Sequence, residues 1–343
     1  MIILSHITAF HCLRHFGAEA VAFMPRVAFS AIEEPFDDAL KGLDRYLAFC
    51  ESAGMEAVFL HLLRPRGSHL TQSDCLITHS SGDLSKHSLL KVSEGVYCVQ
   101  PELLVRQLSS LGSVCEVTYL LYELCGTYSH PGNVGIDLLQ RKSFTTKERL
   151  QRYANAMAPF PHLDVFLEAV SLVKERSASP METACAMLLG LPYRLGGLSF
   201  PEFEMNKELI VPQRLIGEVG RRRMIADLCW PNLMVTLEYD SKEWHHGAEQ
   251  VARDAGKRNA MQRMGYRVVT LTGMQAESPK EIMRVSRILS EAVGHRIRPR
   301  VKDFASKREA LEHLVLRDKG ASFGAAKVRE TMRKRGMPQD GRA

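Results

Sequence analysis

No apolar run in this 343-residue chain approaches the roughly 18–20 residues that a helix needs to cross a bilayer. The start, MIILSHITAFHCLRHF, lacks a basic n-region, a continuous apolar core and a small-residue cleavage site, so no signal peptide is read. None of the eight cysteines forms a CxxC pair, and they scatter through apolar segments. That pattern fits reduced, buried thiols better than disulfides. Internal repeats and low-complexity tracts are missing as well. These absences lead to the expectation of a cytoplasmic, globular protein without a membrane partner, long enough for two domains.

What is present is uneven charge. The net formal charge is +6, yet residues 295–343 hold 14 Lys and Arg against 6 Asp and Glu, which leaves the rest of the chain slightly acidic. A basic tail of this kind is either a nucleic-acid arm or a solubilising helical extension.

Turn residues and periodicity divide the chain into four parts. Residues 1–140 are expected to form a mixed α+β domain. In it SHITAFHCLRHF reads as a helix capped by Ser5, MEAVFLHLL, SDCLITHSS and GVYCVQ read as strands, and PELLVRQLSSLG and SVCEVTYLLYELCGTY read as helices. His6, His11 and His15 recur at helical spacings, which suggests a helix face more than a metal site. Residues 141–178 read as a helical linker region. Residues 179–294 read in order as helix, three strands, helix, strand and helix, with the first three strands an antiparallel meander and the fourth returning after a helical crossover. Residues 295–343 are the basic tail, helical or flexible. The N-terminal domain shows no catalytic constellation and is a candidate for binding a protein partner.

The stretch RRRMIADLCWPNLMVTLEYDSKEWHH, residues 221–246, carries acids inside strand-like text. If its two strands pair about a two-residue turn at Pro231-Asn232, Asp227 lies some five residues before the turn and Glu238 about five after it, which makes them near neighbours across a ladder where cross-strand Cβ atoms on one face sit ~4.5–5.5 Å apart. Two close carboxylates raise each other's pKa, and a divalent cation relieves that cost. Mg²⁺, or Mn²⁺, suits a pair of carboxylates supplemented by waters and phosphate oxygens. The alternative is that both acids are solvent-facing positions of an antiparallel sheet. Glu182 stands in Ser179-x-x-Glu182, which a capping box already explains. Trp230 and Trp244 flank the acids and could stack on a base, although packing of a sheet edge accounts for them too. Arg221, Arg222 and Arg223 cannot all face a core, so some of them are free to meet phosphate. Asp254 and Arg258 have the spacing of a surface ion pair.

The segments MIADLCWP, EYDSKEWH and DAGKRNAMQRMGYRVVTLT, in this order and spacing, resemble the PD-(D/E)XK nuclease superfamily. Within it they are most similar to the Vsr-like endonuclease domain of bacterial proteins, over about residues 179–294. The resemblance implies an α/β (α+β) fold with a restriction-endonuclease-like αβββαβ core on a mixed four-stranded sheet. It implies Asp227 and Glu238 as metal and catalytic acids, Glu182 as a further metal ligand, and Asp240 and His245 as catalytic neighbours. Arg221, Arg222, Arg223, Lys242, Lys257 and Arg258 become DNA-contacting residues. Asp240 stands where the superfamily's lysine would be, with Lys242 and Lys257 as substitutes, and Ser241 stands where this branch has Gly. The implied function is a Mg²⁺-dependent DNA endonuclease. The alternative is a nuclease fold that binds DNA without cutting it, as an antitoxin-like regulator. Around LSHITAFHCLR, VYCVQPELLVRQL and LLYELCGTY the N-terminal region loosely resembles AbiEi-type antitoxin proteins.

Overall fold

The computed structural model describes residues 1–55, 57, 60–65, 72–73, 76–81, 88–129, 139–240 and 248–318. Its contacts divide into two units, one built on Met1–Val173 and the other on Lys174–Ala321.

In the first unit β1 (Ile2–Leu4), β2 (Arg26–Ala28), β3 (Leu60–Pro65), β4 (Gln72–Ser73), β5 (Leu76–Ser81), β6 (Ser88–Ser93) and β7 (Val96–Val99) form a mixed sheet in the order β2-β6-β7-β1-β3-β5-β4. The pairs β1/β7 and β3/β5 are parallel and the others antiparallel. The three residues of β1 are essentially inaccessible, as an apolar strand at the centre of a sheet must be. Six helices accompany the sheet among the described residues: α1 (His6–Phe23), α2 (Ala39–Ala53), α3 (Pro101–Ser109), α4 (Val114–Leu124), α5 (Lys147–Ala156) and α6 (Leu163–Leu172). Local chemistry sets several of their ends. Pro101 opens α3 at a position that needs no N–H, and Ser113 with Glu116 closes a reciprocal capping box on α4. A short ladder of β8 (Tyr128–Ser129) and β9 (Leu139–Gln140) completes the unit.

Ser5 does precede a helix, but its side chain does not cap it. The hydroxyl donates instead to the carbonyl of His61 at 3.2 Å. His6 follows in the left-handed region at φ +50° and is buried, as is His61. Burial holds the His6 ring well below its ordinary pKa, with His79 and His61 adding to the effect, and burial alone holds His61 at about 4.

The second unit contains α7 (Pro180–Gly190), β10 (Glu204–Ile210), α8 (Ile216–Val219), β11 (Arg223–Trp230), β12 (Val235–Asp240), α9 (Ala248–Arg263), β13 (Arg267–Thr272), α10 (Gly273–Ala276), α11 (Pro279–Ala292) and α12 (Phe304–Glu312). Its sheet runs β10-β11-β12-β13. The first two pairings are antiparallel and β12/β13 is parallel across the α9 crossover, which is the mixed four-stranded sheet expected from the sequence. The hairpin between β11 and β12 is longer than a two-residue turn. Trp230 pairs with Val235, and the connection is a 3₁₀ turn over Pro231–Leu233 followed by Met234 at φ +52°. A turn of Pro231 and Asn232 alone would set Thr236 opposite Asp227; the two added residues shift the register by two and, with side chains still on the same face, bring Glu238 opposite Asp227.

Helix α9 places Ala260 and Met261 on Leu209, Met224, Ala226 and Cys229. Elsewhere in the unit, Leu237 and Leu271 meet Leu188 and Leu189 of α7 and Ile282, Val285 and Leu289 of α11. Each such side chain, fully buried, contributes roughly 1.5–3 kcal/mol. Trp230 is sealed against Phe200 and Phe203, with its indole N–H donated to the Pro201 carbonyl at 2.9 Å, so it packs the sheet and is not a base-stacking platform. Helix α12 also belongs to this core. Buried Arg308 pairs with Glu312 and donates to the carbonyls of Leu188 and Gly196. Gly196, at φ +89°, admits that approach: a Cβ there would lie 2.4 Å from the Lys307 carbonyl oxygen.

The seven cysteines among the described residues are free thiols, six of them buried. No helix among the described residues is long and apolar enough to cross a membrane.

Candidate active site

The ladder between β11 and β12 runs from Trp230↔Val235 to Leu228↔Leu237. One step further, where Asp227 faces Glu238, side chains replace ladder bonds. The Asp227 amide donates to Glu238 Oε1 at 3.3 Å, and the Tyr239 amide donates to Asp227 Oδ2 at 2.8 Å. Each carboxylate thus spends one oxygen on a backbone N–H of the opposite strand. The two remaining oxygens converge on one ammonium: Lys257 Nζ of α9 lies 3.3 Å from Asp227 Oδ1 and 2.5 Å from Glu238 Oε2. The cross-strand pairing inferred from the sequence therefore brings the acids to a common point.

Burial first, then the charge of Asp227, raises the Glu238 pKa to about 7, while Lys257 pulls in the opposite direction. Burial alone would lower the Lys257 pKa, but Asp227 and Glu238 outweigh it and raise it, so the ammonium is held charged. Glu238 Oε2 is inaccessible and has no hydrogen bond of acceptable geometry, so its compensation comes through the ammonium contact. Two carboxylate oxygens aimed at one point are donors of the hard-oxygen kind that could hold a divalent cation, and in this structure the Lys257 ammonium takes that point.

Glu182, in the first turn of α7, feels the same charge. Burial and then Asp227 raise its pKa to about 7. Its carboxylate accepts from the Ala178 amide, the Ser179 hydroxyl and the Asn206 side-chain amide. Ser179 caps α7 by accepting from the Glu182 amide. Glu182 therefore combines a capping role with a place beside Asp227. Asn206 was not singled out from sequence. Its φ of +46°, tolerated by Asn more than by most residues, carries no signature in the strand-like text FEMNKELIV.

Asp240, two residues beyond Glu238 on β12, is paired with Arg258 of α9 at 3.6 Å. Arg258 thus faces this strand end, while the Asp254 side chain lies outside the described residues. Arg221, Arg222 and Arg223 are exposed at the beginning of β11, and Arg223 pairs with Glu208 across the sheet edge at 2.8 Å. Lys242 and His245, with Ser241, Trp244 and His246, lie outside the described residues.

No family model matches the chain, and no solved structure matches it. Two Mycobacterium tuberculosis proteins, named uncharacterized protein MT2308 (strain CDC 1551 / Oshkosh) and uncharacterized protein Rv2248 (strain ATCC 25618 / H37Rv), are each 30% identical to it over 78 residues. That stretch is 22% of this chain, and the chain spans only about a quarter (27%) of the length of these curated relatives.

Proposed function

We propose that the second unit is a Mg²⁺- or Mn²⁺-dependent DNA endonuclease site that hydrolyses a phosphodiester bond. The observation that carries this reading is the convergence of Asp227, Glu238 and Lys257. Two acids from neighbouring strands and one lysine from the following helix form the set that phosphodiester hydrolysis uses, and they stand where the ladder opens. Asp227 and Glu238 would hold the cation. When bound, it supplies Lewis-acid polarisation of the phosphate and a lowered pKa for attacking water. Lys257 fills the role that the Asp at position 240 leaves vacant: its charged ammonium is positioned to stabilise negative charge on a phosphate oxygen. Glu182, with a pKa near neutrality, is suited to accept a proton at its carboxylate. Exposed Arg221 and Arg222 add salt-dependent attraction for the backbone.

The test is plasmid nicking by the full chain with Mg²⁺ or Mn²⁺. Wild-type protein should nick, Asp227→Ala should not, and Lys257→Met should lose about 10²-fold or more, as expected for removing one preorganised electrostatic group. Cleavage that survives in Asp227→Ala would overturn the reading. Salt-sensitive DNA binding without cleavage by wild-type protein would favour the regulator, in which Lys257 serves as a permanent internal counter-ion for the acids.

A further inference from the structure

The first unit carries a cluster that the nuclease reading does not use. His6 follows β1, His61 lies on β3 and His79 on β5, and one potential ligand atom from each lies within 4.8 Å of the other two. The sheet explains part of this convergence. Strands β3 and β5 are parallel with His61 opposite Ile77, so His79, two residues on, projects from the same face as His61. His61 Nδ1 is 2.8 Å from His79 Nε2, and His6 stacks on His79 with ring centroids 3.6 Å apart. His6 is delivered by an unusual backbone: it opens α1 at φ +50° and its amide is tied to Gln107 Oε1 at 3.0 Å. A non-glycine residue persists in that region only where its surroundings require it.

We propose that His6, His61 and His79 bind a divalent transition-metal ion of the zinc class. Neutral imidazole is the ligating form, and three nitrogens are the protein contribution found in zinc sites that keep a further position open. The hydrogen bonds around His6 leave it suitably poised. Ser5 has one hydroxyl proton, given to the His61 carbonyl, so its oxygen accepts from His6 Nδ1 at 3.0 Å and Nε2 is left with its lone pair. A hydrogen bond from the other ring nitrogen is the usual support of a metal-bound histidine. Nitrogens around one tetrahedral ion stand about 3.3 Å apart, given bonds of ~2.0–2.1 Å. The three ligand atoms, all within 4.8 Å of one another, are near this spacing, and ring rotation closes the remainder. His79 is only half-buried, which leaves a route for the ion. This site is independent of the carboxylate site in the second unit.

Full-length protein stripped with chelator and titrated with Co²⁺, and separately dialysed against Zn²⁺ for elemental analysis, tests it. One equivalent should bind, and the Co²⁺ form should show tetrahedral d–d absorption without a thiolate charge-transfer band. His61→Ala and His79→Gln should each weaken binding at least 100-fold, while His15→Ala should leave it unchanged. His79→Gln, at a half-buried position, is read alone if His61→Ala fails to give a cooperative unfolding transition. Absence of stoichiometric binding by wild-type protein, a thiolate band, or undiminished binding by His79→Gln would each overturn the assignment.

Discussion

Glu182 and Glu238 retain their protons up to about pH 7, whereas free carboxyls of this type release theirs near 4.5. Between those values the folded protein binds more protons than the unfolded chain, so stability must fall as pH rises through this window and level off above it. Thermal melts in EDTA should show a transition temperature that declines from about pH 5 to pH 7.5. Mg²⁺ should restore stability chiefly above neutrality, where the acids are free to accept a cation. Glu182→Gln should remove about half of the decline, since one of two such groups is gone. A melting temperature that rises over that range in EDTA would show that the two carboxyls are not proton-bound as described.

At the scale of elements, the site depends on where the β11/β12 ladder ends. Leu237 is the last β12 residue before the opening, and it is buried between α7 and α11. Leu237→Ala should cost about 2–5 kcal/mol, measured by denaturant unfolding, with the spread set by how far α7 and α11 close the cavity. The proximity of Asp227 and Glu238 was legible in the sequence because each lies about five residues from the turn, but their direct opposition was not: a two-residue turn sets Thr236 opposite Asp227, and the observed four-residue connection moves the register by two, which keeps Glu238 on the same face and brings it opposite. Tryptophan packing was legible too, since Trp230 sits among apolar neighbours. Lys257 was visible only as one of two substitute lysines, because choosing between them needs the angle at which α9 crosses the sheet. The histidine cluster was not legible. His61 and His79 meet through a parallel pairing that no local spacing encodes, and His6 joins them from the start of α1, just after β1, a strand of three residues too short to leave a period. Helix α2 was also missed.

At the scale of the whole molecule, the basic C-terminal region is not uniform. Its first part is structural: Leu311 and Val315 are buried, and Arg308 donates to the Gly196 carbonyl and to that of Leu188, which also accepts from the Leu198 amide. A chain ending at residue 303 should therefore unfold its second unit at markedly lower temperature, because the buried contacts of Leu311 and Val315 are lost together with the Arg308 hydrogen bond to Gly196, and an unsatisfied buried carbonyl costs about 1–3 kcal/mol. A calorimetric trace of the truncated chain identical to that of the full chain would refute this. Trp230 supplies a built-in gauge for such work. The chain has two indoles, and this one is shut away from water beside two phenyl rings in the second unit. Its fluorescence should shift to the red when that unit opens, so the emission spectrum can follow the second unit while circular dichroism follows the chain as a whole.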